Sequence, residues 1–436
     1  MGLERKDLTL CERSLRTILL YGGFLCLGMC FSVVGPTLQD LAFKLNTNTS
    51  NMATIYTARS GGLIIGCLIG GLLLERFHRV RVLAVSYFCS GVFTGLLPWC
   101  ASLELLIGVM LLNGINMGMV DTASTVWCLD LWRVKPGPFV HALHFSFSVG
   151  TFIAPLIAEP FLIPTQITNT RAANFNETKS RNLKELLMQE YEANYYEEIS
   201  YGVIGLFMAA IGIVTFAVSL VNSADPKRVP EQHHSNPKLQ PWPTRLLVAA
   251  IILLVLLHFL IYGGIEIAYG QLIATYAVVL QEGQRLSKSA ASFLTSGFWG
   301  AFMLGRGASI FLSHFVKNFT LIIVDHVIIV AACFSLMLFA AQSLLVLWLG
   351  TIMFGLGMSA IYPATYSWVS GHIHVSNRIG GLFAVGTAAG EMIVPFVVGQ
   401  FIEVQPRFVM DSAALCSSLM VLFFLVLFLC VNRLKS

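Results

Sequence analysis

Charge is scarce in this chain. Asp, Glu, Lys and Arg together make up 11% of its 436 residues, against roughly 25% in an ordinary soluble domain. A chain with so little polar surface cannot be, as a whole, a cytosolic enzyme, a nucleic-acid binder or a disordered scaffold. Alternating apolar patterns are missing too. The apolar stretches are long and continuous, which excludes a transmembrane β-barrel. No CxxC pair or Cys/His cluster is present, so neither a metal site nor a cofactor is expected. No HExxH, Ser/His/Asp or phosphate-cradling glycine loop stands at a credible position, so enzymatic activity is not expected. A pore is disfavoured by the lack of a re-entrant selectivity segment or a repeated ring of charges. Of ten cysteines, all but Cys11 and Cys100 fall in apolar runs, so no disulfide framework is expected. A cleavable signal is not expected either, because mostly polar residues precede the first apolar span.

What the chain has is apolar residues, 56% of the total, with a mean hydropathy of +0.75. Twelve stretches are long enough to cross a bilayer as helices: residues 17–41, 54–76, 81–101, 103–131, 137–162, 199–221, 244–280, 287–315, 319–341, 343–370, 376–403 and 407–432, here numbered spans 1 to 12. The expected class is an all-α polytopic membrane protein. Span 7 holds Gly263, Gly264 and Gly270, and is expected to bend or unwind there. Placing the N-terminus in the cytoplasm puts most of the 27 Lys and Arg residues on the inside, among them Arg13, Arg16, Arg76, Arg79, Arg81, Lys227 and Arg228. An even number of spans then makes both termini cytoplasmic. The sequons at Asn48 and Asn176 fall in outside loops and are expected to be glycosylated, whereas Asn318 falls inside and is not. The long outside loop 163–198 is expected to be partly helical around 180–192. The organisation expected is a six-span half over 1–222, a cytoplasmic linker over 223–243 and a second six-span half over 244–436.

An internal repeat relates the halves. Gly114–Trp127 reads GINMGMVDTASTVW and Gly355–Trp368 reads GLGMSAIYPATYSW. Gly150–Pro155 matches Gly390–Pro395, and Tyr21-Gly22-Gly23 matches Tyr262-Gly263-Gly264. All three matches share an offset of about 240 residues. Spans 1, 4 and 5 therefore correspond to spans 7, 10 and 11. Two halves of the same polarity, related by an axis along the membrane normal, put a central site between them near mid-membrane.

The turn after span 2, Gly71-Leu72-Leu73-Leu74-Glu75-Arg76-Phe77-His78-Arg79-Val80-Arg81, resembles the signature of the major facilitator superfamily, with Glu75 where an Asp is usual. Physically, Glu75, Arg76 and Arg79 would form a conformational latch, paired with the neighbouring half in one state only. The alternative is that they merely set topology. Four further segments narrow the resemblance: Gly35–Ala42, His141–Phe147, Tyr262–Gly270 and Gly390–Met392. Together with the turn they resemble the sodium-dependent glucose transporter branch. Gly114 to Ala123 also resembles span 4 of the fucose–proton symporter, which has Glu where Asp121 stands; its span 1 acid aligns with Ser32 here. The resemblance implies hexose transport with sodium as coupling ion.

Ionisable residues inside a bilayer cost ~3 kcal/mol each even on a lenient scale, so they are functional candidates. Asp121 shares a helical face with Asn113, Met117, Ser124 and Cys128. Asp121, Asn113 and Ser124, with Glu391 of span 11, are the expected cation-coupling residues. Glu391 matches the neutral Thr151 in the repeat, so the fold itself does not require an acid there. Substrate contacts are expected from Glu266, Gln271, His144, Trp299, Tyr362 and Tyr366, the alternative for the aromatics being packing. For Glu266 the alternative is a gating role. His141, His144, Ser148 and Thr151 form a polar stripe on span 5. Asp40 and Arg59 are expected to form a structural ion pair near the outside, and Arg306 to snorkel or to pair with Asp325.

The reading is a multi-pass plasma-membrane carrier, a monomer, whose partners are a sugar and the lipid bilayer and not nucleic acid. It would move a hexose, glucose above others, by alternating access coupled to Na⁺. The rival readings are an uncoupled or proton-coupled facilitator for a small polar solute, and a non-transporting sensor on a carrier fold.

Overall fold

The structure, a computed structural model, describes residues 10–132, 137–162, 196–221, 242–280, 285–313, 315–373, 375 and 377–435. Loop residues 163–195, which include Asn176, and linker residues 222–241 lie outside the described residues. Among those described, the regular structure is entirely helical. The spans are Leu10–Ser32 continued by Val34–Lys44, then Thr54–Arg76, Arg79–Leu96, Leu103–Leu131, Gly137–Ala158, Glu197–Val221, Trp242–Val279, Lys288–Leu312, Asn318–Phe339, Leu344–Ser370, Asn377–Phe401 and Phe408–Lys435. Eleven of them are long and apolar enough to cross a membrane. The exception is span 8, Lys288–Leu312. Its 25 residues suffice in length, but Lys288, Arg306 and its Ser and Thr residues dilute its apolar character.

Two spans differ from expectation. Span 1 is broken at Val33, where the Leu10–Ser32 helix gives way to Val34–Lys44. Pro36 is the physical cause: it has no N–H for the Ser32 carbonyl and its ring crowds that carbonyl. Span 7 does not unwind. Trp242–Val279 is one continuous 38-residue helix, and its glycines serve packing instead. A Cβ at Gly263 would stand 2.5 Å from the Thr387 methyl carbon, and one at Gly270 would stand 2.5 Å from the Trp299 ring.

The packing repeats as the sequence does. Span 1 lies on span 5 as span 7 lies on span 11; spans 2 and 4 pair like spans 8 and 10; spans 3 and 6 pair like spans 9 and 12. The repeat glycines are among the points of close helix approach. A Cβ at Gly150 would overlap the Leu25 carbonyl, and at Gly390 the Leu260 carbonyl. At Gly114 it would overlap the Arg59 carbonyl, and at Gly355 the Phe298 carbonyl. Such backbone contact is how helices pack tightly in a medium that offers no hydrophobic drive.

The halves meet along spans 2 and 11 and along spans 5 and 8. Their bonds gather at the end of the bundle opposite the termini, here called distal. On one side Glu403 accepts from the Thr49 N–H at 2.5 Å, and Gln400 Nε2 donates to the Ser50 carbonyl at 3.0 Å. On the other side Ser292 Oγ donates to the Pro155 carbonyl at 2.7 Å and the Ser289 hydroxyl meets the Glu159 carboxylate. Gln400 and Glu159 stand about 240 residues apart, so the two clasps are repeat-related. Between them Lys288 of span 8 is ion-paired with Asp40 of span 1, both buried.

Candidate functional site

A cluster of charges from both halves lies beneath this distal closure. Span 4 contributes Asp121, span 2 Arg59, span 11 Glu391, span 7 Glu266 and span 8 Arg306. Glu391 is within electrostatic range of Glu266, Arg59 and Asp121. Glu266 is within range of Arg306, as are His141 and His144 of span 5. Tyr362 of span 10 is within range of Asp121, Arg306 and Glu391. Asp121 and Glu391 are half-buried, and Glu266 is 9% exposed.

Arg306 is the residue that sequence reasoning misplaced. It does not pair with Asp325. Its guanidinium lies over the Phe302 ring at 4.2 Å, donates through Nε to the Ser359 carbonyl at 3.3 Å, and reaches Ser148 Oγ at 3.5 Å. It thereby bridges spans 5, 8 and 10 and faces Glu266. Its signal in the sequence was its position in the least apolar span, surrounded by Gly305 and Gly307. A side chain on Gly307 would press on Phe145 of the opposite half.

The expected pair of Asp40 and Arg59 is not formed. Asp40 is paired with Lys288 across the halves. Arg59 instead sits over the Phe31 ring, 4.0 Å from its centroid, and donates through Nη1 to the Phe31 carbonyl at 2.9 Å. The cause is a matter of helix faces. Arg59 is directed at the break in span 1, while Asp40 lies two turns further along, beside the start of span 8.

Asn113 and Ser124 do not join Asp121. Asn113 Oδ1 accepts from Ser90 Oγ at 3.1 Å and its amide donates to Thr94 Oγ1 at 3.2 Å. Ser124 Oγ is 3.0 Å from the Tyr87 hydroxyl. Both are buried against span 3. They stand about 60–80° around the helix from Asp121, enough for one side chain to face the other half and the others to face the bundle interior. Cys67, not foreseen as a neighbour, lies within range of Asp121 and Glu391 and donates to the Gly118 carbonyl.

The expected substrate contacts divide. Gln271 is fully buried; its Nε2 donates to the Phe31 carbonyl at 2.9 Å and its Oε1 has no partner. Trp299 is fully buried among Phe298 and Phe302, with its indole N–H unpartnered. Tyr362 and Tyr366 are half-buried, with Tyr362 4.4 Å from the Phe259 ring. His144 meets the Phe24 ring edge-on. Buried donors and acceptors left without partners are what a hydroxyl-rich solute would satisfy. Among the described residues no group of three or more His, Cys, Asp or Glu is placed to chelate a metal ion.

Of the expected latch, Arg76 ends span 2 exposed, Arg79 begins span 3 buried, and the side chain of Glu75 lies outside the described residues. Span 2 packs closely on span 4 through its glycines: Cβ atoms at Gly62 and Gly66 would overlap the Leu111 and Ile115 carbonyls of span 4.

The sequence matches the Major Facilitator Superfamily over residues 20–395. It is 31% identical over 391 residues to mouse sodium-dependent glucose transporter 1A, covering 87% of this chain and 88% of that protein. It is 30% identical over 386 residues to human sodium-dependent glucose transporter 1, covering 87% of this chain and 72% of that one. Among solved structures it resembles the E. coli fucose:proton symporter, with a TM-score of 0.60 at 18% identity, over 94% of this chain and 98% of that one.

Proposed function

The chain belongs to the major facilitator superfamily, in the branch of the sodium-dependent glucose transporters, and we propose that it moves a hexose, glucose first, across the plasma membrane coupled to Na⁺. The observation that carries this reading is the convergence of Asp121, Glu391, Glu266, Arg59 and Arg306 from both halves beneath a distal end that is bonded shut. The distal end is then the outer face and both termini are cytoplasmic. Asn48 supports this orientation. It is exposed at the distal end, where it caps the short helix Thr49–Met52, and is open to glycosylation.

In this reading the carrier is drawn with its outer gate closed. A cation is held at Asp121 and Glu391, while Gln271, Trp299, Tyr362, Glu266 and His144 offer the solute its ring stacking and hydrogen bonds. Sugars need both, because their rings have apolar faces edged with hydroxyls. Arg306 lies within electrostatic range of Glu266 and offsets part of the cost of burying that carboxylate. Cation and solute raise each other's affinity, as thermodynamic linkage requires. The fold likeness to a proton symporter makes a proton the rival coupling ion.

The deciding experiment is uptake of labelled glucose by the reconstituted protein under Na⁺, K⁺ or proton gradients. Stimulation by a Na⁺ gradient is expected. Stimulation by a proton gradient instead replaces the ion, indifference to both selects a facilitator, and binding without flux selects a sensor.

A further inference from the structure

Asp325 has no part in the central site. It stands in span 9, seven residues after Asn318, and so about 10 Å into the apolar segment from the end of the bundle that carries the termini. Arg306, its expected partner, is bonded to spans 5 and 10 instead. Asp325 is half-buried, no ion pair among the described residues reaches it, and its Oδ2 is buried without a hydrogen-bond partner. An Asp side chain is too short to carry its charge back to the interface from that depth, and an acid in hydrocarbon calls for a cation beside it. Span 9 packs on spans 10 and 12 and leaves Val324, Val327 and Leu338 exposed. The Asp325 backbone lies at the seam with span 10: its carbonyl is 3.2 Å from where a Cβ at Gly357 would stand. On the same side of span 10 as Gly357, Leu349 and Met353 are exposed.

We propose that the seam between spans 9 and 10 docks a transmembrane helix of another protein, one whose Lys or Arg lies at the depth of Asp325 and pairs with it. The exposed apolar surface runs along span 9 from Val324 to Leu338, about 21 Å, the reach of a helix and not of a lipid headgroup. The carboxylate lies below headgroup level, where a soluble cation or a lipid amine does not sit. A second copy of this chain does not supply the base. Its deep cations, Arg59 and Arg306, are turned to rings and carbonyls of the interior, and a twofold contact at this seam would set acid against acid. Between helices in lipid, polar pairs of this kind act as specific glue on top of side-chain packing. The proposal is independent of cargo and coupling ion, because spans 9 and 10 dock the partner on their outer surface.

The test is disulfide trapping in vesicles that hold the full chain and a synthetic probe. The probe is a leucine–alanine transmembrane helix with one Lys at the depth of Asp325 and one Cys a turn away; a second probe has Met in place of the Lys. Val324→Cys, exposed beside Asp325, is the reporter, and Val203→Cys, exposed on span 6 of the other half, is the control. Trapping at Val324→Cys is expected to run about tenfold faster with the Lys probe than with the Met probe. Adding Asp325→Asn is expected to remove that preference, and Val203→Cys is expected to show none. Asp325→Lys is expected to restore selective trapping with a probe that carries Glu in place of Lys. Asp325→Asn is expected to keep the parent's melting temperature, since no cation of this chain loses a partner. Equal trapping of the two probes at Val324→Cys, or a Lys preference that survives Asp325→Asn, would overturn the proposal. A marked fall in the melting temperature of Asp325→Asn would also overturn it, by showing that the acid holds the chain's own fold.

Discussion

Lys288, the first residue of span 8, is ion-paired with Asp40 in the distal part of span 1, and both side chains are buried. The pair joins the two halves of the molecule, and it must part whenever the distal end opens. A buried pair contributes little net stability but leaves a costly orphan when halved, typically about 3–5 kcal/mol. Lys288→Met is therefore expected to lower the melting temperature of the detergent-solubilised protein and to favour the open distal end. Lys288→Met combined with Asp40→Asn is expected to recover most of the lost stability. A double variant that melts no higher than the single one would contradict this pairing.

Asp121→Asn is expected to abolish Na⁺-dependent uptake while leaving expression and melting temperature close to the parent. Asp121 has no ion pair among the described residues, so removing its charge orphans no cation. Sodium-stimulated uptake at the parent level in this variant would remove Asp121 from the coupling machinery.

Asn113 and Ser124 give the opposite expectation. Their hydrogen bonds run to Ser90, Thr94 and Tyr87 of span 3. Asn113→Ala is expected to destabilise the protein by about 1–3 kcal/mol by leaving buried hydroxyls without a partner. The Na⁺ concentration for half-maximal uptake should not change. A shift in that concentration at unaltered stability would return Asn113 to the ion site.

The repeat glycines predict a graded series. Gly114→Leu and Gly355→Leu place side chains where the Arg59 and Phe298 carbonyls already stand, so misfolding and loss of surface expression are expected. Gly108→Ala, with nothing within 4 Å of its added carbon, is expected to express normally. Surface labelling of the three variants in parallel decides it.

Much of the architecture was legible in the chain. The twelve spans follow from local apolar excess, and the repeat from residue spacing, because both are properties of a few dozen neighbouring residues. The acids Asp121, Glu391 and Glu266 were legible as a group because charge is so rare in this chain that each instance stands out. Their partners were not. Asp40 and Arg59 lie close in sequence and on adjoining spans, yet each turned to a different neighbour. Arg306 read as a peripheral snorkelling residue and lies instead at the centre, bonded to spans 5 and 10.

The sequence by itself determined the helices, their number, the duplication and the shortlist of buried charges, since hydropathy and spacing act along the chain. Only the tertiary structure decided which carboxylate faces which cation and which polar side chain turns inward to its own bundle. Those choices depend on the rotation of each helix about its axis, and that rotation is set by packing against helices hundreds of residues away.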